Sequence, residues 1–394
     1  MAVIGAGMAG LSAAHYLSIN GVDCRIYEAT SQIGGRVTTE ASGSIIMDRG
    51  FQVIIEDYPE LRRLLPVDEL SLNRFYPGVY FDLPGSPRTL LSDPRRSPGS
   101  ARDSIRLLSK LASPPRLGTV FDYLKSDTRT VRALAELLPE VASDRLFAPF
   151  MRAVSLDPSL SADTGYAWFL LGRFLNGYAS LPTDGMIQLP LYVERTLSNP
   201  VERNSKVARI STGKVDFESG DRIEPEWIIV AVDPSNLETL VGIPAIPTRS
   251  IGSAYFLSNQ RPLGVPAVYL PPFASPIYTL ATVSDVAPSY LRESKTAHLI
   301  SASFDPTLDE ATLKVAISDL LGGIALEFEL IRFEIITGAL PTRSLKTPVA
   351  GKRVLLAGDY LGRPSMNTAL ESGRLAAQTI IKNLSGVASG REVA

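Results

Sequence analysis

Gly5, Gly7 and Gly10, within VIGAGMAG at residues 3–10, have the spacing needed to hold a pyrophosphate on bare backbone. In this G-x-G-x-x-G arrangement Gly5 permits a tight turn and Gly7 lets the phosphates approach. Gly10 lets helix and strand pack closely. The phosphates then meet unpaired N–H groups at a helix N-terminus, where the peptide dipoles favour negative charge. Glu28, 18 residues past Gly10, stands where a carboxylate accepts from a ribose hydroxyl. A carboxylate there repels a 2′-phosphate, which disfavours NADP. NAD and the adenosine half of FAD share this handle, so the stretch alone does not choose between them.

The elements that must position these residues are legible around them. Ala2-Val3-Ile4 reads as the end of a buried strand, Leu11 to Asn20 as a helix, and Gly21 as its C-terminal glycine. Asp23 to Tyr27 reads as a second strand. The last segment, LLAGDYLGRPSMNTALESGRLAA, repeats the pattern: a buried strand run at Leu355-Leu356-Ala357, then Gly358, where backbone approaches a ligand, and Asp359, an acceptor for a sugar-like hydroxyl. A helix is expected from about Met366 to Asn383, with Ala369, Gly373, Ala376 and Ile380 forming a mostly small row that packs with little separation. A second helix N-terminus thus points at the site. NAD has no obvious use for it, whereas reduced FAD carries negative charge on the N1–C2=O2 edge of its ring system, which such a terminus stabilises. SQIGGRVTT at 31–39 adds a glycine bend, including Gly35, and a guanidinium, Arg36, placed to bridge pyrophosphate and flavin.

These observations predict an α/β fold: a discontinuous Rossmann-like FAD-binding domain with a second, mixed-sheet plus helical substrate domain. The first is expected over 1–75, 199–245 and 345–394, the second over 76–198 and 246–344, with its helical part at about 95–198. Strands are expected at 206–210, 214–217 and 227–231, and further strand-like runs at 249–305. A helix near 309–321 and a strand near 325–337 complete the pattern.

Composition narrows the function. The chain has 394 residues, 45% of them hydrophobic, and a formal charge of −2, which gives no footprint for nucleic acid. One cysteine, Cys24, excludes an internal disulfide and fits a reducing, cytoplasmic setting. With two histidines, His15 and His298, and no metal-binding spacing, no metal is expected and a serine–histidine triad lacks material. No secretory signal or membrane-spanning run is read, and a few further residues are expected before Met1.

In motif content and order the chain resembles the superfamily of FAD-dependent amine oxidases, phytoene desaturases and protoporphyrinogen oxidases. The resemblance rests on VIGAGMAGLSAA, the YEA…IGGR run (27–36), DRGFQV (48–53), LPTDGM (181–186), ITGALP (336–341) and AGDY…SMNTALESGRLAAQ. It implies FAD held by Gly5, Gly7, Gly10, Glu28, Gly35 and Arg36. Val207 would contact the adenine through its backbone. Gly358 and Asp359 would hold the ribityl–phosphate region, and the Met366 N–H would reach the flavin O2. Three departures are present. Thr368-Ala369 stands where the family often has Gly-Ala, which would narrow the space beside the flavin. The RSIGSAYFLS run (249–258) lacks the lysine usual in the amine oxidase branch, and Ser365 replaces an aromatic residue of its substrate cage.

The departures favour a desaturase or porphyrinogen-oxidase chemistry over amine oxidation: a hydride taken from an apolar, conjugated small molecule, with oxygen or a quinone as electron acceptor. A flavin-dependent isomerase or a redox-silent FAD scaffold needs the same cradle and stays open. Arg152, Arg173 and Tyr178, polar residues among apolar ones, are the candidates to face the substrate. The segment 84–116 carries seven Lys/Arg against two Asp and would suit peripheral contact with a lipid surface.

Overall fold

The computed structural model describes residues 1–66, 70–111, 129–211, 213–294, 296–322 and 328–391. In chain order, β1 (Ala2–Ile4), α1 (Met8–Ile19) and β2 (Arg25–Tyr27) open the fold, followed by the hairpin β3 (Thr39–Ser42) and β4 (Ile45–Asp48). Next come β5 (Ile54–Ile55), α2 (Pro59–Leu64), β6 (Leu72–Arg74), β7 (Gly78–Leu83), β8 (Ser86–Ser92) and α3 (Ala101–Leu111). A helical passage contains α4 (Val131–Ala135), α5 (Ala148–Ser155) and α6 (Thr164–Asn176), then β9 (Ala179–Pro182) and α7 (Gln188–Glu194). Strands return as β10 (Val207–Ser211), β11 (Lys214–Phe217), β12 (Arg222–Ile223) and β13 (Ile228–Val230), with α8 (Leu237–Val241) after them. β14 (Thr248–Ser258), β15 (Val268–Leu270), β16 (Ile277–Thr282), β17 (His298–Phe304), α9 (Glu310–Leu320) and β18 (Phe328–Pro341) lead to β19 (Val349–Gly351), β20 (Val354–Leu356) and α10 (Met366–Arg391).

A five-stranded sheet of order β19-β20-β13-β1-β2 draws on three distant stretches of chain, with β13 between β20 and β1. β1, β2, β13 and β20 run parallel. Their period-two alternation sorts the two faces. Val3, Ile229 and Leu355 share a core with Leu11, Leu370, Ala377 and Ile380 of α1 and α10. Ala2, Ile4, Ile228, Val230, Val354 and Leu356 pack instead on Val207, Val215 and Phe217 of the β10-β11-β12 layer.

The row of Ala369, Gly373, Ala376 and Ile380 lets α10 approach a neighbour closely. In the structure Gly373 meets α1. A Cβ there would fall inside contact distance of the Ala9 carbonyl oxygen and lie 2.9 Å from the Ala13 nitrogen. Ser12 Oγ donates to the Leu370 carbonyl at 2.8 Å across the same contact. Two helix N-termini separated by more than 350 residues are therefore held side by side.

The second sheet has seven strands, β18-β14-β17-β16-β15-β7-β8. One face buries Ala254, Phe256, Ile300, Ala302 and Leu280 under Leu313, Ile317 and Leu321 at the back of α9, whose Asp309 caps it by accepting from Thr312 N at 2.8 Å. The opposite parity, including Ile251, Thr279, Ser303 and Ile336, lines a cavity. A short sheet β5-β9-β6 ties residues 54–74 to 179–182. Part of the basic 84–116 segment is thus strand β8 and helix α3, while its residues 112–116 lie outside the described residues.

Candidate functional site: a cavity between two helix N-termini

One cavity of about 1770 Å³ runs from the first glycine turn to the face of the seven-stranded sheet. Single-ligand pockets span about 300–1,000 Å³, so this volume accommodates a dinucleotide and a second molecule together. Gly5, Gly7, Glu28, Gly35, Arg36, Val207, Gly358, Asp359 and Met366 all line it. Gly10 does not. It packs on the turn, where any Cβ would collide with the Gly5 carbonyl oxygen.

The glycine turn shows what the cavity can hold. Gly5 has φ +100, and a Cβ there would sit 2.6 Å from the Ala231 carbonyl oxygen. Gly7 is different: a Cβ would meet nothing within 4 Å, so the space over it is open. Gly7 is also the N-cap of α1 and supplies no side chain to the first-turn N–H groups. An open cradle over uncapped donors matches an anionic diphosphate. Glu28 Oε2 accepts from Ala6 N at 2.9 Å and Oε1 from Thr30 N at 2.9 Å, which fixes the carboxylate at the end of β2. The IGGR bend docks on this turn through Gly34, φ +102, whose N–H donates to the Ala6 carbonyl at 2.8 Å.

Arg36 is clamped by Asp359 through two hydrogen bonds, Nη1 to Oδ2 at 2.9 Å and Nη2 to Oδ1 at 2.5 Å, and Nη1 donates to the Ala339 carbonyl at 2.8 Å. Asp359 is 3% exposed, so this ion pair joins the first and last motifs inside the fold. Gly358 admits the Tyr360 ring, which fills the space a Cβ would take, and its N–H donates to Ser372 Oγ at 2.8 Å. Val207 opens β10 beside a register shift at Val207/Arg209.

The middle motifs meet at a buried carboxylate that the sequence reading did not single out. Asp48 of DRGFQV accepts from Thr39 Oγ1 at 2.5 Å, from Met186 N of LPTDGM at 2.8 Å and from Tyr290 OH at 2.7 Å. Burial pushes its carboxyl above the usual carboxylate range, against the pull of those donors. Gln52 of the same motif donates to the Arg36 carbonyl at 2.8 Å. Asp48 and Thr39 fall inside the quoted DRGFQV and SQIGGRVTT stretches with no role of their own there, and Tyr290 lies in no motif.

α10 is held at its start by a second group the sequence did not mark. Glu60, 4% exposed, takes Arg374 in a two-pronged ion pair at 2.7 and 2.9 Å, and its N–H donates to Asn367 Oδ1 at 3.0 Å.

The three substrate-facing candidates separate. Arg152 is 3% exposed and is not among the residues that line the cavity. Its Nη1 and Nη2 donate to the carbonyls of Phe273, Ser275 and Ile277, and its guanidinium lies 4.3 Å from the Tyr278 ring centroid. Burial with no carboxylate in contact drops its pKa to about 10. Arg173 is paired with Asp57 at 2.8 Å, lies outside the cavity lining and keeps a buried Nε with no partner. Tyr178 does line the cavity, with the guanidinium groups of Arg74 and Arg96 over its ring at 4.4 and 4.5 Å. Thr368 is a correction. Its side chain packs on Gly362 and hydrogen-bonds the Arg363 carbonyl, so only Ala369 of that pair borders the cavity.

Among the described residues no group of three or more His, Cys, Asp or Glu could hold a metal ion. His15 is bonded to Thr196 at 2.7 Å and His298 to Asp285 at 2.7 Å, both away from the cavity.

A parallel sheet with two helix N-termini and a glycine cradle at its strand ends defines a dinucleotide-binding oxidoreductase architecture. Comparison with known proteins narrows the class. The family description "flavin containing amine oxidoreductase" matches residues 8–256, more than half of the 394 residues. The chain belongs to that family of flavin-containing oxidoreductases. It is similar to protoporphyrinogen oxidase 2 of Arabidopsis thaliana, 24% identical over 253 residues, covering 61% of this chain and 49% of that one. The chain thus matches about half of that relative's length. It is 29% identical over 181 residues to a carotenoid phi-ring synthase of Streptomyces griseus, covering 40% and 35% of the two chains. A crystal structure of an oxidoreductase from Methanosarcina mazei shares the fold, with a TM-score of 0.71, 13% identity and coverage of 97% and 99%.

Proposed function

We propose that this flavoenzyme oxidises or desaturates an apolar, conjugated small molecule, a polyene or isoprenoid or a porphyrinogen, with oxygen or a quinone as electron acceptor. The carrying observation is the make-up of the cavity beyond the glycine turn. Phe51, Phe75, Phe147, Phe150, Leu171 and Phe174 line it, and among the described residues Lys206 is the one lysine that does. Lys206 is itself paired with Glu218 at 2.8 Å and follows Ser205, whose N–H donates to the Glu28 carbonyl at 2.7 Å. An aromatic wall whose cavity holds one lysine, already paired with Glu218, suits a flat apolar body better than an amine.

FAD, when bound, supplies a hydride acceptor for a C–H bond. Gly5, Gly7 and the α1 terminus would take its pyrophosphate, Glu28 its adenosine ribose and Val207 its adenine. Gly35, Arg36, Gly358 and Asp359 would hold the middle of the cofactor, and the Met366 N–H its pyrimidine edge. Gly10 would act by letting α1 seat on the turn. The aromatic wall would orient the substrate and exclude water, with Tyr178 as the polar group facing it. The nucleotide-binding unit would comprise 1–75, 199–245 and 345–394, and the substrate unit the intervening segments.

Access to apolar substrates points to a lipid surface. Ile105 on α3 is 57% exposed, and Trp168 and Leu175, seven apart on one face of α6, are 46% and 56% exposed. Arg95 at the cavity mouth donates to the Leu175 carbonyl, and Arg102 and Arg106 are exposed on α3. This rim would rest on anionic lipid as a peripheral contact. No helix among the described residues is long and apolar enough to cross a membrane. Flotation with anionic liposomes tests the contact, and failure to co-float removes it.

The activity is tested by anaerobic mixing of the yellow protein with polyenes, porphyrinogens and amines while following the oxidised flavin band. A polyene or porphyrinogen should bleach it. Bleaching by amines alone would overturn the proposal.

A further inference from the structure

A second cavity, about 860 Å³, adjoins the first at Tyr166 and Pro364. Its floor is the outer face of α10, where Thr368, Glu371, Leu375 and Thr379 recur at helical spacing. Its far wall is the 341–348 loop. The volume is within the ~300–1,000 Å³ of small-molecule sites.

The lining is chemically two-sided. Phe169, Leu345, Leu355, Leu361 and Leu375 supply an apolar wall. Four cationic side chains, Arg249, Arg343, Lys346 and Arg363, stand against two carboxylates, Asp163 and Glu371. Arg249 is already bound to Asp157 at 3.0 Å and Arg363 to Asp163 at 3.2 Å. Arg343 and Lys346 are exposed on one loop and make no ion pair among the described residues. With Asp157 counted against Arg249, the four cations exceed the carboxylates by one, and Arg343 and Lys346 present that excess on the loop.

Tyr166 and Pro364 border both cavities. The Tyr166 phenol donates to the Pro364 carbonyl at 2.7 Å and closes the partition. Asp163 caps α6 by accepting from Tyr166 N at 2.9 Å, and the same carboxylate holds Arg363. Arg363, Asp163, Tyr166 and Pro364 thus form one circuit from the rim of the second cavity to the wall of the first.

We propose that the second cavity binds a small organic anion, an aromatic or aliphatic body bearing a phosphate or carboxylate. Arg343 and Lys346 clasp the charge and the leucine wall takes the body. An anion that draws Arg363 away from Asp163 disturbs the cap that aims Tyr166, so occupancy is felt in the flavin cavity. Binding itself does not depend on the substrate proposed above, whereas the coupling rests on FAD filling the first cavity.

Calorimetric titration of the flavin-loaded protein with 1-naphthyl phosphate, 1-naphthoate and inorganic phosphate tests this. At least one naphthyl probe should bind saturably, at least tenfold tighter than inorganic phosphate. The R343A/K346A double variant, altered only on an exposed loop, should weaken it at least tenfold with the flavin spectrum unchanged. Preference for one naphthyl probe assigns the anion as phosphate or carboxylate. Absence of saturable binding by both probes, or equal affinity in the double variant, overturns the site. The bound probe should also shift the flavin absorption band in the wild type and not in Y166F. An equal shift in both overturns the circuit.

Discussion

Replacing Gly373 by alanine should separate the two helices that frame the flavin cavity. A Cβ at 373 would lie 3.0 Å from the Ser12 Cβ and 2.9 Å from the Ala13 nitrogen, closer still to the Ala9 carbonyl. Relaxing even the first of these to an ordinary contact of about 3.5 Å moves α10 by about 0.5 Å. Overpacking of this kind costs about 1–3 kcal/mol. Loss of the Ser12–Leu370 hydrogen bond adds about 1 kcal/mol. Removing a helix-interior glycine returns about 0.5–1 kcal/mol. The net is a destabilisation of about 1–3 kcal/mol. Gly172 on α6 is the matched control, because a Cβ there meets nothing within 4 Å. G172A should gain the propensity term alone, about 0.5–1 kcal/mol. Denaturant unfolding of both variants, with flavin retention on gel filtration as a second readout, decides the matter. If G373A is as stable as G172A and keeps its flavin, the close seating of α10 on α1 is wrong.

Two other outcomes follow from local geometry. G7A should fold with wild-type stability yet lose flavin, because its methyl enters only the open space over the turn. G10A, which collides with the Gly5 carbonyl, should fold poorly. Equal flavin content in G7A and the wild type would refute the pyrophosphate cradle. Asp48 gives a pH signature: its folded carboxyl titrates above its unfolded value near 3.9, chiefly from burial. The native state therefore holds a proton that the unfolded chain has released, and the stability tied to it is full below about pH 3.9 and lost as pH rises through the folded value. Unfolding free energies of wild type and D48N from acid to neutral pH should shift in favour of D48N as pH rises. A flat difference, or one moving toward the wild type, refutes the assignment.

The chain by itself made the glycine turn, the Glu28 carboxylate and the small-residue face of α10 legible, because each of these parts is local. Glycine spacing, a carboxylate at a strand end and small residues on a helix face act through neighbouring backbone, and each leaves a short readable pattern. β1, β13 and β20 are apolar throughout, so the sequence marked them as buried, and only the fold assigned which of their residues face α1 and α10. Only tertiary structure decided which polar residues were free. Arg152 and Tyr178 looked alike as isolated polar groups in apolar runs. Three carbonyls from residues 273–277 consume the first, while the second borders the cavity. Met186 and Tyr290 converge on Asp48, and Glu60 on Arg374, from far apart in the chain, whereas Thr39 faces Asp48 across the β3–β4 hairpin. A hydrogen-bond partner separated by hundreds of residues is chosen by packing, and no local pattern encodes it.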